Sequence, residues 1–133
     1  MEKFGILMLG HGSSLPYNKK LVEETANMLR KKHEITVHTA FLNMDAPSIQ
    51  DALKELCSAG VNRVVALPLF LAHGVHTLQD IPAQLGIENG AEKTTIKHGN
   101  NNVEILYAQP LGADPVIAEI AYQRAREALE VVK

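Results

Sequence analysis

The sequence has few of the residues on which several classes of protein depend. Tryptophan is absent, and Cys57 is the single cysteine. With one cysteine, neither an internal disulfide nor a cysteine-based zinc site is expected. The 13 Lys and Arg residues are interleaved with 15 Asp and Glu residues, without the basic stripe that nucleic-acid backbones require. No apolar run approaches the roughly 20 residues that span a bilayer. We therefore expect a cytoplasmic protein that binds neither nucleic acid nor membranes.

The composition is that of one folded domain. Apolar residues make up 46% of the 133 residues and charged residues 21%, which is typical of a globular core and not of disorder. A single domain commonly has about 100–150 residues, and no Pro- or Ser-rich linker divides the chain. We predict one domain over residues 1–133, in which the polar segment 86–102, with its glycines and Asn triplet, is a variable surface loop.

Apolar runs alternate with amphipathic segments along the chain. Strands are predicted at residues 3–9, 35–42, 61–71 and 103–108, and helices at 18–32, 47–59, 80–85 and from 115 onward. Asp45 and Asp114 are the predicted caps of the second and fourth helices, and an apolar stripe runs along the fourth. This order predicts an α/β fold of three layers, a four-stranded parallel flavodoxin-like sheet with helices on both faces.

Histidines directly follow two of the predicted strands. His11 stands between Gly10 and Gly12 after the first strand, and His73 and His76 follow the third. Ligands of parallel sheets bind beyond the carboxyl ends of the strands, where the strand order reverses. If the first and third strands are neighbours, these histidines face one another across that edge.

The residues alone leave the chemistry of these histidines open. His11 could be a turn residue bonded to a nearby carbonyl, or it could bind a divalent ion or accept a proton near neutral pH. The glycines beside it are interpreted as letting a bulky ligand and the backbone come close to the imidazole. Ser13 and Ser14 could receive a carboxylate or phosphate, or simply cap the first helix. A histidine phosphatase is disfavoured because Gly10 stands where that family has arginine.

Three segments, LGHGS, PLFLAHGVHTLQDIP and QPLGADP, together resemble the small archaeal sirohydrochlorin cobaltochelatases of the class II chelatase superfamily, over essentially the whole chain. The resemblance implies that Co²⁺, and in methanogens also Ni²⁺, is inserted into sirohydrochlorin with release of two protons, for cobalamin or a nickel tetrapyrrole coenzyme. It also implies a homodimer whose metal is a substrate and not a permanently bound cofactor. The alternatives are a sirohydrochlorin or porphyrin ferrochelatase and a non-catalytic carrier of metal or tetrapyrrole.

The same resemblance implies roles for particular residues. His11 and His76 would bind the metal and serve catalysis, one of them taking the pyrrole protons. Ala46 stands where relatives have a glutamate that contacts the substrate, with Asp45 as a possible substitute, and Ser13 and Ser14 could meet carboxylates of the substrate. The segment that would line the tetrapyrrole consists of Leu71, Ala72, His73, Gly74, Val75 and His76.

Overall fold

The computed structural model describes residues 4–131, which form five strands and four α-helices. The strands are β1 (Phe4–Gly10), β2 (Thr36–Phe41), β3 (Arg63–Pro68), β4 (Lys93–His98) and β5 (Asn101–Tyr107). The helices are α1 (Tyr17–His33), α2 (Ile49–Ser58), α3 (Ile81–Leu85) and α4 (Pro115–Val131), and a π-helical turn (His76–Asp80) leads into α3. No helix among these residues is both long enough and apolar enough to cross a bilayer.

The sheet has the order β2-β1-β3-β5-β4, parallel throughout except that β4 runs antiparallel to β5. The predicted α/β class and the central parallel strands are confirmed, but the predicted number of four strands is wrong. The extra strand is β4, which lies inside the segment predicted as a surface loop. Thr94 and Ile96 are half-buried while Lys93, Thr95 and Lys97 are exposed, so β4 is an edge strand with one face in contact with the domain.

The two faces of the sheet are covered unequally. α2 and α3 pack on one face, where Leu7, Leu9, Val64 and Ile105 are fully buried. Cys57 belongs to this layer, and burial raises the pKa of its thiol. On the other face α1 packs over β1 and β2, with a core of Met8, Val22, Ala26, Val37 and Phe41.

Two helix starts differ from the prediction. α2 is capped by Ser48, whose hydroxyl oxygen accepts from the Asp51 backbone N–H at 3.2 Å, and not by Asp45. The third helical segment begins at His76 and not near Asp80, because a π-helical turn precedes Pro82. Pro82 has no N–H to donate, and the Thr77 carbonyl in the preceding turn accepts instead from the Tyr107 hydroxyl at 2.7 Å.

Candidate functional site

The carboxyl edge of the sheet brings His11 and His76 into contact. β1 and β3 are neighbours in the sheet, so the segments that follow them lie side by side. The Nε2 atoms of the two imidazoles are 2.9 Å apart, and the ring planes are inclined by 77°. The predicted proximity of these histidines is therefore confirmed as geometry.

Hydrogen bonds at the Nδ1 atoms determine which nitrogen of each ring carries the proton. His11 Nδ1 lies 3.0 Å from the Gly12 carbonyl oxygen, and His76 Nδ1 lies 2.6 Å from Asp80 Oδ2. A carbonyl or carboxylate oxygen can only accept, so both Nδ1 atoms are donors. In the neutral rings both Nε2 atoms consequently present a lone pair to the same point.

Two lone pairs at this distance repel each other unless a cation lies between them. One cation is a proton, which would leave an imidazole bonded to an imidazolium. The other is a metal ion, because a bond of about 2.1 Å from each nitrogen and a separation of 2.9 Å give an angle of about 90° at the ion. That angle suits two adjacent positions of an octahedral ion.

The pair lies at an open part of the surface. The side chain of His76 is 39% exposed and that of Asp80 44%, and Phe70 borders the other side, its ring centroid 6.3 Å from that of His11. Within residues 4–131 no group of three or more His, Cys, Asp or Glu side chains could hold a metal ion. An ion on the two imidazoles would therefore keep most of its positions for water or for a ligand.

The glycines beside His11 are required by the fold around it. A Cβ atom on Gly12, which has φ +85°, would lie 1.8 Å from the Asn43 carbonyl oxygen, and one on Gly10 would lie 2.7 Å from Val22 and 2.9 Å from Phe41. The space beside these glycines is thus filled by the protein itself. The predicted close approach of the backbone is confirmed, because these glycines let the segment carrying His11 pass close to β2 and α1. The space at their Cβ positions is not available to a ligand.

Substituting Gly12 with alanine should destabilise the protein by about 3 kcal/mol or more, through the clash and the unfavourable φ. Gly74 is the matched control, because nothing lies within 4 Å of its added Cβ and Gly74→Ala should leave the unfolding midpoint nearly unchanged. Urea unfolding of both variants measures the difference. Equal midpoints for the two variants would contradict this account of Gly12.

The segment predicted to line a tetrapyrrole is exposed beside the pair. Leu71 is 64% and Val75 63% exposed, and Ala72 and Gly74 are exposed as well. His73 is turned to other partners, with Nδ1 3.1 Å from Thr77 Oγ1 and Nε2 2.8 Å from Gln109 Oε1. The structure thus brings His76, and not His73, together with His11.

The predicted substrate contacts near α1 border a separate open cleft. Ser13, Ser14, Lys19, Lys20 and Asp45 are among the residues lining this cleft of about 500 Å³. The Ser13 hydroxyl oxygen accepts from the Leu15 N–H and Asp45 Oδ2 accepts from the Ser13 N–H, each at 3.1 Å.

Ala46 is exposed and has no side chain beyond its methyl group. Asp45 lines the same cleft, and its Oδ2 accepts from the Ser13 N–H in the turn after His11, so a substitution of Asp45 for the glutamate of relatives stays a prediction.

Two residues of the site were not predicted from the sequence. Asp80 holds the His76 ring, and Tyr107 ties the turn that carries His76 to β5. Burial raises the pKa of the Tyr107 hydroxyl to about 12, so it stays protonated and can donate. Residues four apart on a helix face one another. A helix predicted to start at His76 would therefore have indicated the contact between His76 and Asp80.

Comparison with known proteins identifies the family. The model of the CbiX family matches residues 5–128. This chain belongs to the CbiX family. Among CbiX relatives, the sirohydrochlorin cobaltochelatase of Methanothermobacter thermautotrophicus is 43% identical, over 96% of this chain and 94% of the relative. The sirohydrochlorin cobaltochelatase of Methanosarcina barkeri is 42% identical, over 96% of this chain and 98% of the relative.

Solved structures agree with the CbiX assignment in fold. A CbiX protein from Marinobacter aquaeolei VT8 is 25% identical with a TM-score of 0.68, over 96% of this chain and 98% of that one. The sirohydrochlorin chelatase SirB from Bacillus subtilis subspecies spizizenii, in complex with cobalt, is 20% identical with a TM-score of 0.76. The match covers 94% of this chain but 50% of SirB, so the present chain spans about half the length of that chelatase.

Proposed function

We propose that this protein is a chelatase that inserts Co²⁺ into sirohydrochlorin. The observation that carries the proposal is the contact between His11 Nε2 and His76 Nε2, which lie 2.9 Å apart at the open carboxyl edge of the sheet. The choice of Co²⁺ and sirohydrochlorin is based on the relatives, which are sirohydrochlorin cobaltochelatases at 43% and 42% identity. The metal is a substrate that passes through the site, and we propose no permanently bound cofactor.

The reaction replaces two pyrrole protons of the macrocycle by one divalent ion. The ion must lose water, and the lone pairs on Nε2 of His11 and His76 can replace two water ligands. As the ion moves to the macrocycle nitrogens, the two histidine Nε2 atoms become free. They can then accept the two pyrrole protons, which pass on to water. Asp80 accepts from His76 Nδ1–H and so holds the ring with its Nε2 lone pair toward the ion.

A small ligand set is an advantage for an ion that has to be released. A closed site with four protein ligands holds a structural metal tightly, whereas two imidazoles leave positions for the macrocycle nitrogens. We propose that the exposed segment from Leu71 to Val75 forms a wall for the flat ring. Ser13 and Ser14, which line the neighbouring cleft, would meet the carboxylates of sirohydrochlorin.

We propose that the active form is a homodimer in the cytoplasm. The SirB chain is about twice as long as the part that this chain matches, so a second copy could supply the other half of a cleft. Ni²⁺ is a second proposed substrate, since its affinity for nitrogen ligands exceeds that of Co²⁺. Iron is the competing candidate, and a SirB structure with Fe³⁺, 25% identical to this chain, is the observation that favours it. The product would enter cobalamin or nickel-tetrapyrrole biosynthesis.

The test is anaerobic absorbance spectroscopy of sirohydrochlorin with Co²⁺, Ni²⁺ or Fe²⁺ and catalytic amounts of protein. Each metal is also measured without protein. The proposal predicts that the protein accelerates cobalt insertion most strongly and nickel insertion to a lesser degree. Acceleration of iron insertion above both would transfer the assignment to a ferrochelatase, and no acceleration of any metal would contradict the proposal.

A further inference from the structure

The two histidines of the candidate site are supported differently at their Nδ1 atoms. His76 Nδ1 donates directly to a carboxylate, Asp80 Oδ2, at 2.6 Å, whereas His11 Nδ1 donates to the backbone carbonyl of Gly12 at 3.0 Å. A neutral carbonyl is a weaker acceptor than a carboxylate, and its direction depends on the peptide group to which it belongs. The residue that fixes this peptide group therefore controls how firmly His11 presents Nε2 to a metal ion.

The Gly12 carbonyl shares its peptide group with the Ser13 N–H. A trans peptide group is planar, and its C=O and N–H point in opposite directions. The Ser13 N–H donates to Asp45 Oδ2 at 3.1 Å. Asp45 thus holds one end of the peptide group, and the His11 Nδ1–H is bonded to the other end.

The backbone before this peptide group is held independently of Asp45. The Gly12 N–H donates to Asn18 Oδ1 at 2.9 Å, and the Gly10 carbonyl accepts from the Leu42 N–H at 3.1 Å. A glycine allows many orientations of the peptide group that follows it. The bond to Asp45 selects the orientation in which the Gly12 carbonyl faces the His11 ring.

Asp45 is itself fixed where this bond requires it. It lies in the segment that follows β2, the neighbour of β1 in the sheet, and its N–H donates to the Asn43 carbonyl at 2.7 Å. Asp45 is half-buried, so competition from water for its bond to Ser13 is reduced.

A bond to a carboxylate also makes the peptide group a better partner for the imidazole. An ionised acceptor binds an N–H more strongly than a neutral acceptor does, and successive hydrogen bonds polarise one another. The bond from Ser13 to Asp45 therefore strengthens the bond from His11 Nδ1–H to the Gly12 carbonyl. This keeps the ring proton on Nδ1 and the lone pair on Nε2.

We propose that Asp45 is a positioning residue for His11, acting through the peptide group between Gly12 and Ser13 as Asp80 acts directly on His76. The inference rests on the proposed function, in which His11 is a ligand of the inserted ion. It differs from the substrate contact that the resemblance suggests for Asp45. A positioning residue affects the binding of the metal, whereas a substrate contact affects the binding of sirohydrochlorin.

The test is the affinity for Co²⁺ in the absence of sirohydrochlorin, measured from the visible absorption of the ion. Asp45→Ala leaves the Ser13 N–H without this acceptor and should weaken Co²⁺ binding by about 10-fold. Asp45→Asn keeps a side-chain oxygen that can accept from the Ser13 N–H. Its Co²⁺ affinity should stay within about threefold of that of wild type, the difference reflecting the lost charge.

Asp114→Ala is the matched control. Asp114 Oδ1 makes the same kind of bond, from the Val116 N–H at 2.9 Å, at the start of α4, and this variant should bind Co²⁺ as wild type does. Circular dichroism checks the folding of all variants. Asp45→Ser, whose shorter side chain does not reach as far as a carboxylate, replaces Asp45→Ala should that variant fail to fold.

Steady-state rates of cobalt insertion separate positioning from substrate contact. Positioning predicts that Asp45→Ala has a lower kcat, a higher KM for Co²⁺ and a nearly unchanged KM for sirohydrochlorin. Unchanged Co²⁺ affinity in Asp45→Ala would overturn the inference, and a raised KM for sirohydrochlorin would then assign Asp45 to the substrate. A loss of Co²⁺ affinity as large in Asp45→Asn as in Asp45→Ala would also overturn it, because the charge and not the hydrogen bond would be responsible.

Co²⁺ binding is measured without turnover, so the two proposals fail separately. Weaker binding by Asp45→Ala, in a protein that inserts no metal, would contradict only the proposed function. Rapid insertion by a protein whose Co²⁺ affinity is unaffected by Asp45→Ala would contradict only the positioning role.

Discussion

Replacing His11 or His76 with alanine should lower the rate of cobalt insertion into sirohydrochlorin by about 100-fold or more. Each substitution removes one of the two Nε2 atoms that converge at 2.9 Å, and with it a metal ligand and a proton acceptor. The initial rate is measured by absorbance under anaerobic conditions. Both variants should fold, because neither imidazole is part of the buried core.

His73→Ala is the matched control for these two substitutions. His73 comes from the same segment as His76 but is bonded to Thr77 and Gln109. It should keep most of the turnover rate, although its place beside the proposed tetrapyrrole wall allows a change in KM. Loss of turnover in His73→Ala as large as in the other two variants would contradict the assignment of the pair.

Asp80→Asn should reduce Co²⁺ affinity and the rate of metal insertion by about 10- to 100-fold. The carboxylate of Asp80 accepts from His76 Nδ1 at 2.6 Å and so keeps the lone pair of that ring on Nε2. An asparagine can turn its amide N–H toward Nδ1, which would move the ring proton to Nε2 and block the metal. Co²⁺ titration followed by visible absorption measures affinity and coordination independently of catalysis.

Asp51→Asn is the control for Asp80→Asn, because it makes the same change in the exposed first turn of α2. Both variants should unfold within about 1 kcal/mol of wild type, since the His76–Asp80 contact is partly exposed and polar contacts of this kind contribute little to stability. Asp80→Glu, which keeps the charge, should restore part of the activity. Equal Co²⁺ affinity in Asp80→Asn and Asp51→Asn would rule out the positioning role.

The proximity of His11 and His76 could be predicted from the sequence because it depends on strong local signals. Both residues follow short apolar runs, and parallel strands of this kind end at one edge of the sheet. The choice between His73 and His76 could not be made from the spacing of the residues. It depends on the π-helical turn before Pro82, which begins at His76 and holds that ring against His11. His73 precedes this turn and bonds Gln109.

The elements that the sequence did not predict are those whose burial is incomplete. β4 contributes one large apolar side chain, Ile96, to the core, so its pattern of alternation was too weak to distinguish it from a polar loop. The reverse holds for α4, whose strong apolar stripe correctly predicted a helix. The stripe did not reveal that α4 buries none of its side chains within residues 4–131. A pattern of hydrophobicity predicts that a surface needs to be covered, but it does not identify the covering element.

The measurement that tests the central claim most directly is the number of cobalt-sirohydrochlorin molecules formed per protein chain. Catalytic amounts of wild-type protein are mixed anaerobically with excess sirohydrochlorin and Co²⁺, and the product is followed to completion against a protein-free control. The account predicts many turnovers per chain at a rate above the control. At most one equivalent of product per chain, with no faster conversion afterwards, would make the histidine pair the binding site of a carrier and contradict the assignment as a chelatase.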